Sequence, residues 1–185
     1  MSFLLLILCL GAYLVGALPT GYLLCKYLWG VDITQHGSGN IGASNVARVL
    51  GRRYFLIIFL LDAAKAYVAV TVGQLLVPDT GYMLAAAVLL GNAYSVFLGF
   101  RGGKGVASSV GIMAAILTWP LVVCFMVLWC IVLGLTRQPF IASLGALSGL
   151  FVGNLLFGCP TSTLFLFILG AWLVFRHAAN LRACW

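Results

Sequence analysis

The sequence is poor in charged side chains, and it is poorest in acidic ones. It has no glutamate and 3 aspartates, and charged residues make up 7% of its 185 residues. A water-soluble domain carries about 25% charged residues, and a surface with so little charge does not stay in solution. Because 64% of the residues are apolar, a soluble globular domain, a disordered chain and a disulfide-stapled secreted domain are excluded. The composition indicates an integral membrane protein.

The charge that is present is mostly positive, with a formal net charge of +7. The basic residues are scattered between apolar segments and form no long run, so we expect no nucleic-acid partner. The sequence also has no carboxylate pair and no Cys/His cluster of the kind that holds a metal ion, so we expect no metal site. The positive charge therefore indicates either which loops lie on the cytosolic side of the membrane or the binding of an anionic substrate.

Apolar segments account for most of the chain. A helix that spans a bilayer needs roughly 20 apolar residues, so we expect an all-α polytopic membrane protein of about seven transmembrane helices, forming a single domain over residues 1–185. A kink is predicted near Pro19 in the first segment, and turns are predicted at Trp119–Pro120 and Cys159–Pro160. The segment 106–118 is short, and a tilted, partly buried or re-entrant helix remains open for it. The segments are 3–29, 54–77, 81–100, 106–118, 121–136, 140–158 and 161–175.

The basic residues outside the predicted spans all fall on one side of the membrane. With seven crossings, those outside the spans fall at alternate ends, which predicts an external N-terminus and a cytosolic C-terminus. They are Lys26, Arg48, Arg52, Arg53, Arg101, Lys104, Arg137, Arg176 and Arg182.

One cation and one carboxylate lie inside a predicted span. Lys65 follows Asp62 by three residues, which places the two side chains on the same helix face. A charge at bilayer depth costs roughly 2.5–3.5 kcal/mol on insertion scales. Two interpretations stay open: an ion pair that packs helices together, or a pair that orders a neighbouring site.

Three polar segments, 36–48, 101–105 and 176–182, are predicted on the cytosolic face, and none of them contains a carboxylate. Glycines in the first two would let the backbone turn and present N–H donors to an anion. A helix that begins near Val106 would point its N-terminus at the same ligand. Phosphate is the ligand that this pattern favours.

These segments resemble the three motifs of a known family. Ser38–Arg48, Val96–Ala107 and Phe175–Leu181 are similar to the motifs of the bacterial membrane acyl-phosphate:glycerol-3-phosphate acyltransferases, the PlsY-type family. The resemblance implies acyl transfer from acyl phosphate, and not from acyl-CoA, to the 1-hydroxyl of glycerol 3-phosphate. The products would be lysophosphatidate and inorganic phosphate. It further implies a bacterial cytoplasmic (inner) membrane protein with a cytosolic active site, working without metal or cofactor.

The resemblance also implies roles for individual residues. Lys104 and the Gly102 and Gly103 amides would bind phosphate, and His177 would orient glycerol 3-phosphate or act as its base. Ser143 is expected in the loop that follows Arg137. The expected partners are the two substrates and the lipid bilayer, with a monomer as the working interpretation of an open oligomeric state. The catalytic set is Lys104, His177, Arg48 and Ser38, and the substrate-binding set is Asn40, Ser44, Asn45, Arg101, Gly102, Gly103, Ser143 and Asn180.

The sequence departs from the family at several positions. Asn92 stands where the second motif usually has His, Ser95 stands where it usually has Pro, and the chain stops before the usual Gly-x-Glu tail of the third motif. A catalytically impaired family member therefore remains an alternative. A transporter or channel for small phosphorylated anions is another, although no inverted repeat is visible. A non-catalytic membrane subunit is a third.

Overall fold

The structure is a computed structural model that describes residues 3–158 and 160–182. The described residues form helices, turns and two short 3₁₀ segments, and no strand occurs among them. This confirms the all-α class. The helices are α1 Phe3–Ala17, α2 Thr20–Trp29, α3 Ala43–Leu50, α4 Arg53–Leu76, α5 Gly81–Ala93, α6 Val106–Ile116, α7 Trp119–Thr136, α8 Pro139–Phe157, α9 Pro160–Arg176 and α10 Ala178–Arg182.

Four helical stretches of the described chain are long and apolar enough to cross a membrane: α4, Gly81–Leu98, α7 and α8. The pair α1 and α2 would make a fifth if it is one broken span. Helices α6 and α9 are apolar but shorter. Every predicted apolar segment thus contains a helix, while the count of seven crossings and their orientation stay predictions.

The predicted kink in the first apolar segment is confirmed. Helix α1 ends at Ala17, α2 begins at Thr20, and their axes are bent by 42°. Pro19 has no N–H to donate, and its ring disfavours a helical conformation at Leu18. The chain therefore leaves the helix for two residues and starts a new one.

The chain divides into two compact units, and the first extends to Ile116. Within it, α1 packs on α5 and α4 packs on α6. Glycines lie where these helices touch: a Cβ built on Gly91 would lie 2.0 Å from the Tyr13 carbonyl oxygen, and one built on Gly111 would lie 2.0 Å from that of Ala63. Such small residues let helix backbones approach closely in a membrane.

The second unit begins at Leu117, and in it α7 packs on α8 and α8 packs on α9. Each of the three helices has a proline within its first two residues. In the first turn of a helix a backbone N–H has no acceptor within the helix, so proline, which lacks this N–H, costs no hydrogen bond at these positions. The turn predicted at Trp119–Pro120 is therefore wrong, because both residues lie inside α7. Of the turn predicted at Cys159–Pro160, Cys159 lies outside the described residues and Pro160 is the first residue of α9.

Large apolar side chains remain uncovered along the helices of both units. Leu75, Leu135 and Phe157 are 79%, 81% and 91% exposed. In water, such a surface would cause aggregation. In a bilayer it contacts lipid, as the low charge content of the sequence requires.

Candidate functional site

The first glycine loop, residues 36–42, is folded around the side chain of Asn45 on α3. The Asn45 Nδ2 group donates to the carbonyl oxygens of His36 and Asn40, at 2.9 Å each, and Asn45 Oδ1 accepts from the Ser38 amide at 2.8 Å. Asn45 is buried. Both ends of its amide are thus used to hold the loop, so Asn45 organises the loop instead of presenting its side chain to a ligand.

Several backbone amides of this loop are used inside it. The Gly42 amide donates to Asn40 Oδ1 at 2.8 Å, and the Gly39 amide donates to the His36 carbonyl at 3.0 Å. Gly37 and Gly39 have φ of +61° and +68°, a conformation that glycine adopts without strain. The expectation that this loop turns sharply is met, but the Ser38, Gly39 and Gly42 amides are not open donors.

The outer side of the same loop and of α3 carries the remaining predicted residues. Ser38, Ser44 and Arg48 are exposed, and Arg48 lies in the last turn of α3. Asn40, half-buried, lies behind them. Two hydroxyls and one guanidinium are therefore the groups that the first glycine loop and α3 present outward.

A carboxylate precedes this loop. Asp32 Oδ1 accepts from the Thr34 hydroxyl at 2.6 Å and from the Thr34 amide at 3.0 Å. The hydrogen bond from the Thr34 side chain is the main reason that the pKa of Asp32 lies below its ordinary value. His36 Nδ1 lies 2.8 Å from the Asp32 carbonyl oxygen, which can only accept, so Nδ1 is the donor.

The second glycine loop, residues 101–105, is held against the end of α5. The Gly103 amide donates to the Asn92 carbonyl oxygen at 2.8 Å. A Cβ built on Gly102 would lie 2.2 Å from that same oxygen, so the close approach requires glycine. The amide of Gly103, expected to bind phosphate, is thus occupied by Asn92, and its part is to fix the loop.

Lys104 lies next to the start of a helix, as predicted. Helix α6 begins at Val106, and the Ser109 amide donates to the Gly105 carbonyl at 2.7 Å. The amides before Ser109 have no acceptor within their own helix, and the helix dipole favours an anion there. Lys104 is half-buried beside this end, and Arg101 is exposed at the other end of the loop.

Asn92 has a side-chain arrangement that its sequence position did not predict. It lies within α5 and is buried, and its Oδ1 accepts from the Ser108 hydroxyl at 3.4 Å. Its Nδ2 has no hydrogen-bond partner in the described part of the chain. A Cβ built on Gly103 would lie 3.1 Å from this Nδ2. Asn92 therefore supports the second glycine loop with its backbone carbonyl, while its side chain contacts Ser108 on α6.

In the second unit, His177 lies at the turn between α9 and α10. It is 3% exposed, and its Nδ1 lies 2.8 Å from the Leu173 carbonyl oxygen. Because a carbonyl only accepts, Nδ1 carries the proton and the lone pair of the neutral ring is on Nε2. The ring stacks on Phe140, with centroids 6.3 Å apart. Asn180 is half-buried on α10.

Ser143 lies in α8, and the expectation that it lies in a loop is wrong. Its hydroxyl donates to the Pro139 carbonyl at 2.8 Å and accepts from Trp129 Nε1 at 3.1 Å. Pro139 falls between the predicted segments 121–136 and 140–158, in what the sequence indicates is a break, whereas it is the first residue of α8. Trp129 and Phe140 were not predicted from the sequence, because a contact between two helices leaves no local pattern in it.

The groups so described are of the kind that bind an anion. Among residues 3–158 and 160–182, no three His, Cys, Asp or Glu side chains are close enough to hold a metal. In the first unit, Ser38 on the first glycine loop and Ser44 and Arg48 on α3 are exposed, and Lys104 lies just before the start of α6. Cations, hydroxyls and helix-end amides are the groups that bind phosphate oxygens.

Comparison with known proteins shows what the whole chain is similar to. The family model described as glycerol-3-phosphate acyltransferase matches residues 6–185. A glycerol-3-phosphate acyltransferase of Carboxydothermus hydrogenoformans is 41% identical over 173 residues, covering 92% of this chain and 88% of that protein. One of Desulforudis audaxviator is 42% identical over 184 residues, covering 98% of this chain and 92% of its own.

Two solved structures have a similar fold. They are crystal structures of PlsY, an integral membrane glycerol 3-phosphate acyltransferase, in a glycerol 3-phosphate form and a lysophosphatidic acid form. The TM-scores are 0.86 and 0.84, and each is 33% identical, covering 96% of this chain and 90% of that chain.

Proposed function

Because the chain belongs to the glycerol-3-phosphate acyltransferase family, we propose that it transfers a fatty acyl group from acyl phosphate to the 1-hydroxyl of glycerol 3-phosphate. The products are lysophosphatidate and inorganic phosphate. The reaction takes place at the cytosolic face of the bacterial cytoplasmic membrane. Neither acyl-CoA nor a metal ion takes part.

One observation carries this proposal: the second glycine loop fixes Lys104 beside the start of α6. The Gly103 amide is tied to the Asn92 carbonyl, so the loop has one defined course. That course ends at Val106, the first residue of α6, two residues after Lys104. The amides of a first helical turn are donors for an anion. A phosphate bound there has its charge offset by Lys104 and by the helix dipole.

The donor requires little chemistry from the protein. Acyl phosphate is a mixed anhydride, so the acyl carbon is already activated and phosphate is a good leaving group. The 1-hydroxyl oxygen forms a bond to the acyl carbon, the carbon–oxygen bond to phosphate breaks, and the hydroxyl proton moves to a base. No acyl-enzyme is needed. Rate enhancement comes from holding the two substrates at attack distance and from stabilising charge on the leaving phosphate.

Arg48 and Ser38 are proposed to assist phosphate binding. Both are exposed on the outer side of α3 and the first glycine loop. A guanidinium grips two phosphate oxygens at once, which an ammonium group does not. Ser44 and Arg101, also exposed, add a hydroxyl and a second guanidinium.

His177 and Asn180 are proposed to orient glycerol 3-phosphate. The Leu173 carbonyl holds the proton of His177 on Nδ1, so Nε2 is the acceptor toward a substrate hydroxyl. Two bases fit the proton released from that hydroxyl: Nε2 of His177 and an oxygen of the substrate phosphate. The first route requires the neutral imidazole, whose Nε2 can accept a proton, whereas the phosphate route needs no ionisable side chain.

The experiment is phosphate release by purified protein in lipid vesicles supplied with acyl phosphate. We expect release that depends on glycerol 3-phosphate, with the 1-acyl isomer of lysophosphatidate as the product. Replacing acyl phosphate with acyl-CoA should abolish product formation. Product formation from acyl-CoA, or a 2-acyl product, would contradict the proposed donor or position. Phosphate release that ignores glycerol 3-phosphate would indicate hydrolysis and contradict the transfer.

A further inference from the structure

An ion pair on the neighbouring helix α4 contacts residues on both sides of the break between α1 and α2. Lys65 on α4 donates to the Leu18 carbonyl at 2.6 Å and contacts Asp62 at 2.8 Å. Asp62 accepts a hydrogen bond from the hydroxyl of Thr20, the first residue of α2. A helix break frees carbonyl and amide groups that need partners in a membrane. Lys65 thus binds a backbone carbonyl at the break, and Asp62 fixes the side chain of the first residue of α2.

The same break touches the segments that carry both glycine loops. Ser95, which is 1% exposed, donates to the Ala17 carbonyl at 2.6 Å. Ser95 begins the stretch that leads to Lys104, and its own carbonyl accepts from the Phe100 amide at 2.8 Å. The end of α1 is thus tied to the start of the segment that contains the second glycine loop.

On the other side of the break, α2 contacts the first glycine loop. A Cβ built on Gly21 would lie 2.0 Å from the Ile41 carbonyl oxygen, so α2 and this loop touch backbone to backbone. The end of α1 is thus tied to the segment of one glycine loop, and the start of α2 packs against the other. The α1–α2 bend lies between these two contacts.

We propose that Asp62 and Lys65 are positioning residues for acyl transfer, because they hold the α1–α2 bend that spaces the two glycine loops. This inference rests on the proposed function, since spacing matters only if both loops serve one reaction. Neither side chain touches substrate. Misplacing reacting groups by about 1 Å can cost about 100-fold in rate, so a small change in the bend is enough to slow turnover.

The test replaces both charges together, by Asp62→Leu/Lys65→Met. Exchanging a buried ion pair for apolar side chains is often neutral or stabilising, so folding and activity can be separated. We expect an unchanged thermal midpoint in detergent and a fall of about tenfold or more in kcat. We also expect faster hydrogen exchange of amides in residues 36–42 and 101–105. Wild-type kcat with wild-type exchange in both loops would overturn the proposal.

Two further variants complete the design. Thr20→Val removes only the hydroxyl that donates to Asp62, and we expect the same changes at smaller size in a protein that keeps its ion pair. If the double variant does not fold, Thr20→Val decides: wild-type kcat and loop exchange in it would overturn the proposal. Thr71→Val, on the same helix, removes a buried hydroxyl that has no hydrogen-bond partner in the described chain. It is the matched control and should leave both measurements unchanged.

The proposed function and this inference fail in different ways. If wild-type protein forms no lysophosphatidate, the proposed function fails, and the loop exchange of the variants still tests the bend. If the wild type is active and the double variant matches it in kcat and exchange, only the positioning role of Asp62 and Lys65 fails.

Discussion

The amide of Gly103, the residue directly before Lys104, donates a 2.8 Å hydrogen bond to the carbonyl oxygen of Asn92. This bond places the second glycine loop against the end of α5. The loop can approach so closely because Gly102 and Gly103 have no side chains. The geometry of the second glycine loop therefore depends on backbone contact and on the absence of Cβ atoms.

Gly102→Ala tests this contact directly. Its Cβ would lie 2.2 Å from the Asn92 carbonyl oxygen, a backbone atom that cannot rotate away, so the loop must shift. We expect a loss of about 100-fold in kcat/KM, measured as phosphate release dependent on glycerol 3-phosphate. Gly11→Ala is the control, because a Cβ at that position meets nothing within 4 Å. Equal rates for the two variants would contradict the contact.

Asn45→Asp tests the centre of the first glycine loop. The substitution keeps Oδ1, which accepts from Ser38, but replaces the Nδ2 donor with an oxygen that faces two carbonyls. Leaving buried groups unsatisfied costs about 1–3 kcal/mol, so we expect a lower thermal midpoint than in wild type. The exposed Gln35→Ala variant should have the wild-type midpoint. A wild-type midpoint for Asn45→Asp would show that the loop does not depend on this side chain.

His177→Asn tests the proposed binding of glycerol 3-phosphate, the acyl acceptor, by His177. The shorter amide can keep the donor to Leu173 but has no group at the position of Nε2. We expect the KM for glycerol 3-phosphate to rise while the KM for acyl phosphate stays near its wild-type value, measured from initial rates. If His177 is also the base, the acidic limb of the wild-type pH–rate profile is absent from the variant. Equal increases in both KM values would contradict a role confined to glycerol 3-phosphate.

The lowered pKa of Asp32 leads us to expect that the stability of the protein depends on pH. The hydrogen bond from Thr34 lowers the pKa of Asp32 in the folded protein. A lowered folded-state pKa adds stability that is fully present above the unfolded value, about 4, and that is lost as the pH falls through the folded value. We therefore expect Thr34→Val to lower the thermal midpoint at neutral pH, by an amount that shrinks below about pH 4. A difference that stays constant into acid would contradict this cause.

The elements that the sequence predicted correctly are those with local causes. Pro19 breaks the first helix because of its own ring, and Val106 begins α6 because the glycines before it end. Asp62 and Lys65 form an ion pair because three residues separate them on one helix. In each case the physical reason lies within a few residues of the feature.

The parts that the sequence did not predict depend on contacts between distant residues. Nothing near Gly103 indicates that its amide is used by Asn92, and nothing near Ser143 indicates Trp129. Helix starts at prolines were predicted wrongly as turns or breaks, because proline breaks a helix in the interior but is favoured in the first turn. Pro139 belongs to the second case.

The measurement that tests the central claim most directly is phosphate release from acyl phosphate by Lys104→Ala, with and without glycerol 3-phosphate. The account predicts a fall of about 100-fold or more in the release that depends on glycerol 3-phosphate, because one charge that stabilises the leaving phosphate is lost. Lys26→Ala is the control, since Lys26 is an exposed cation bonded to Tyr22 outside both glycine loops. A wild-type rate in a folded Lys104→Ala protein would contradict the account.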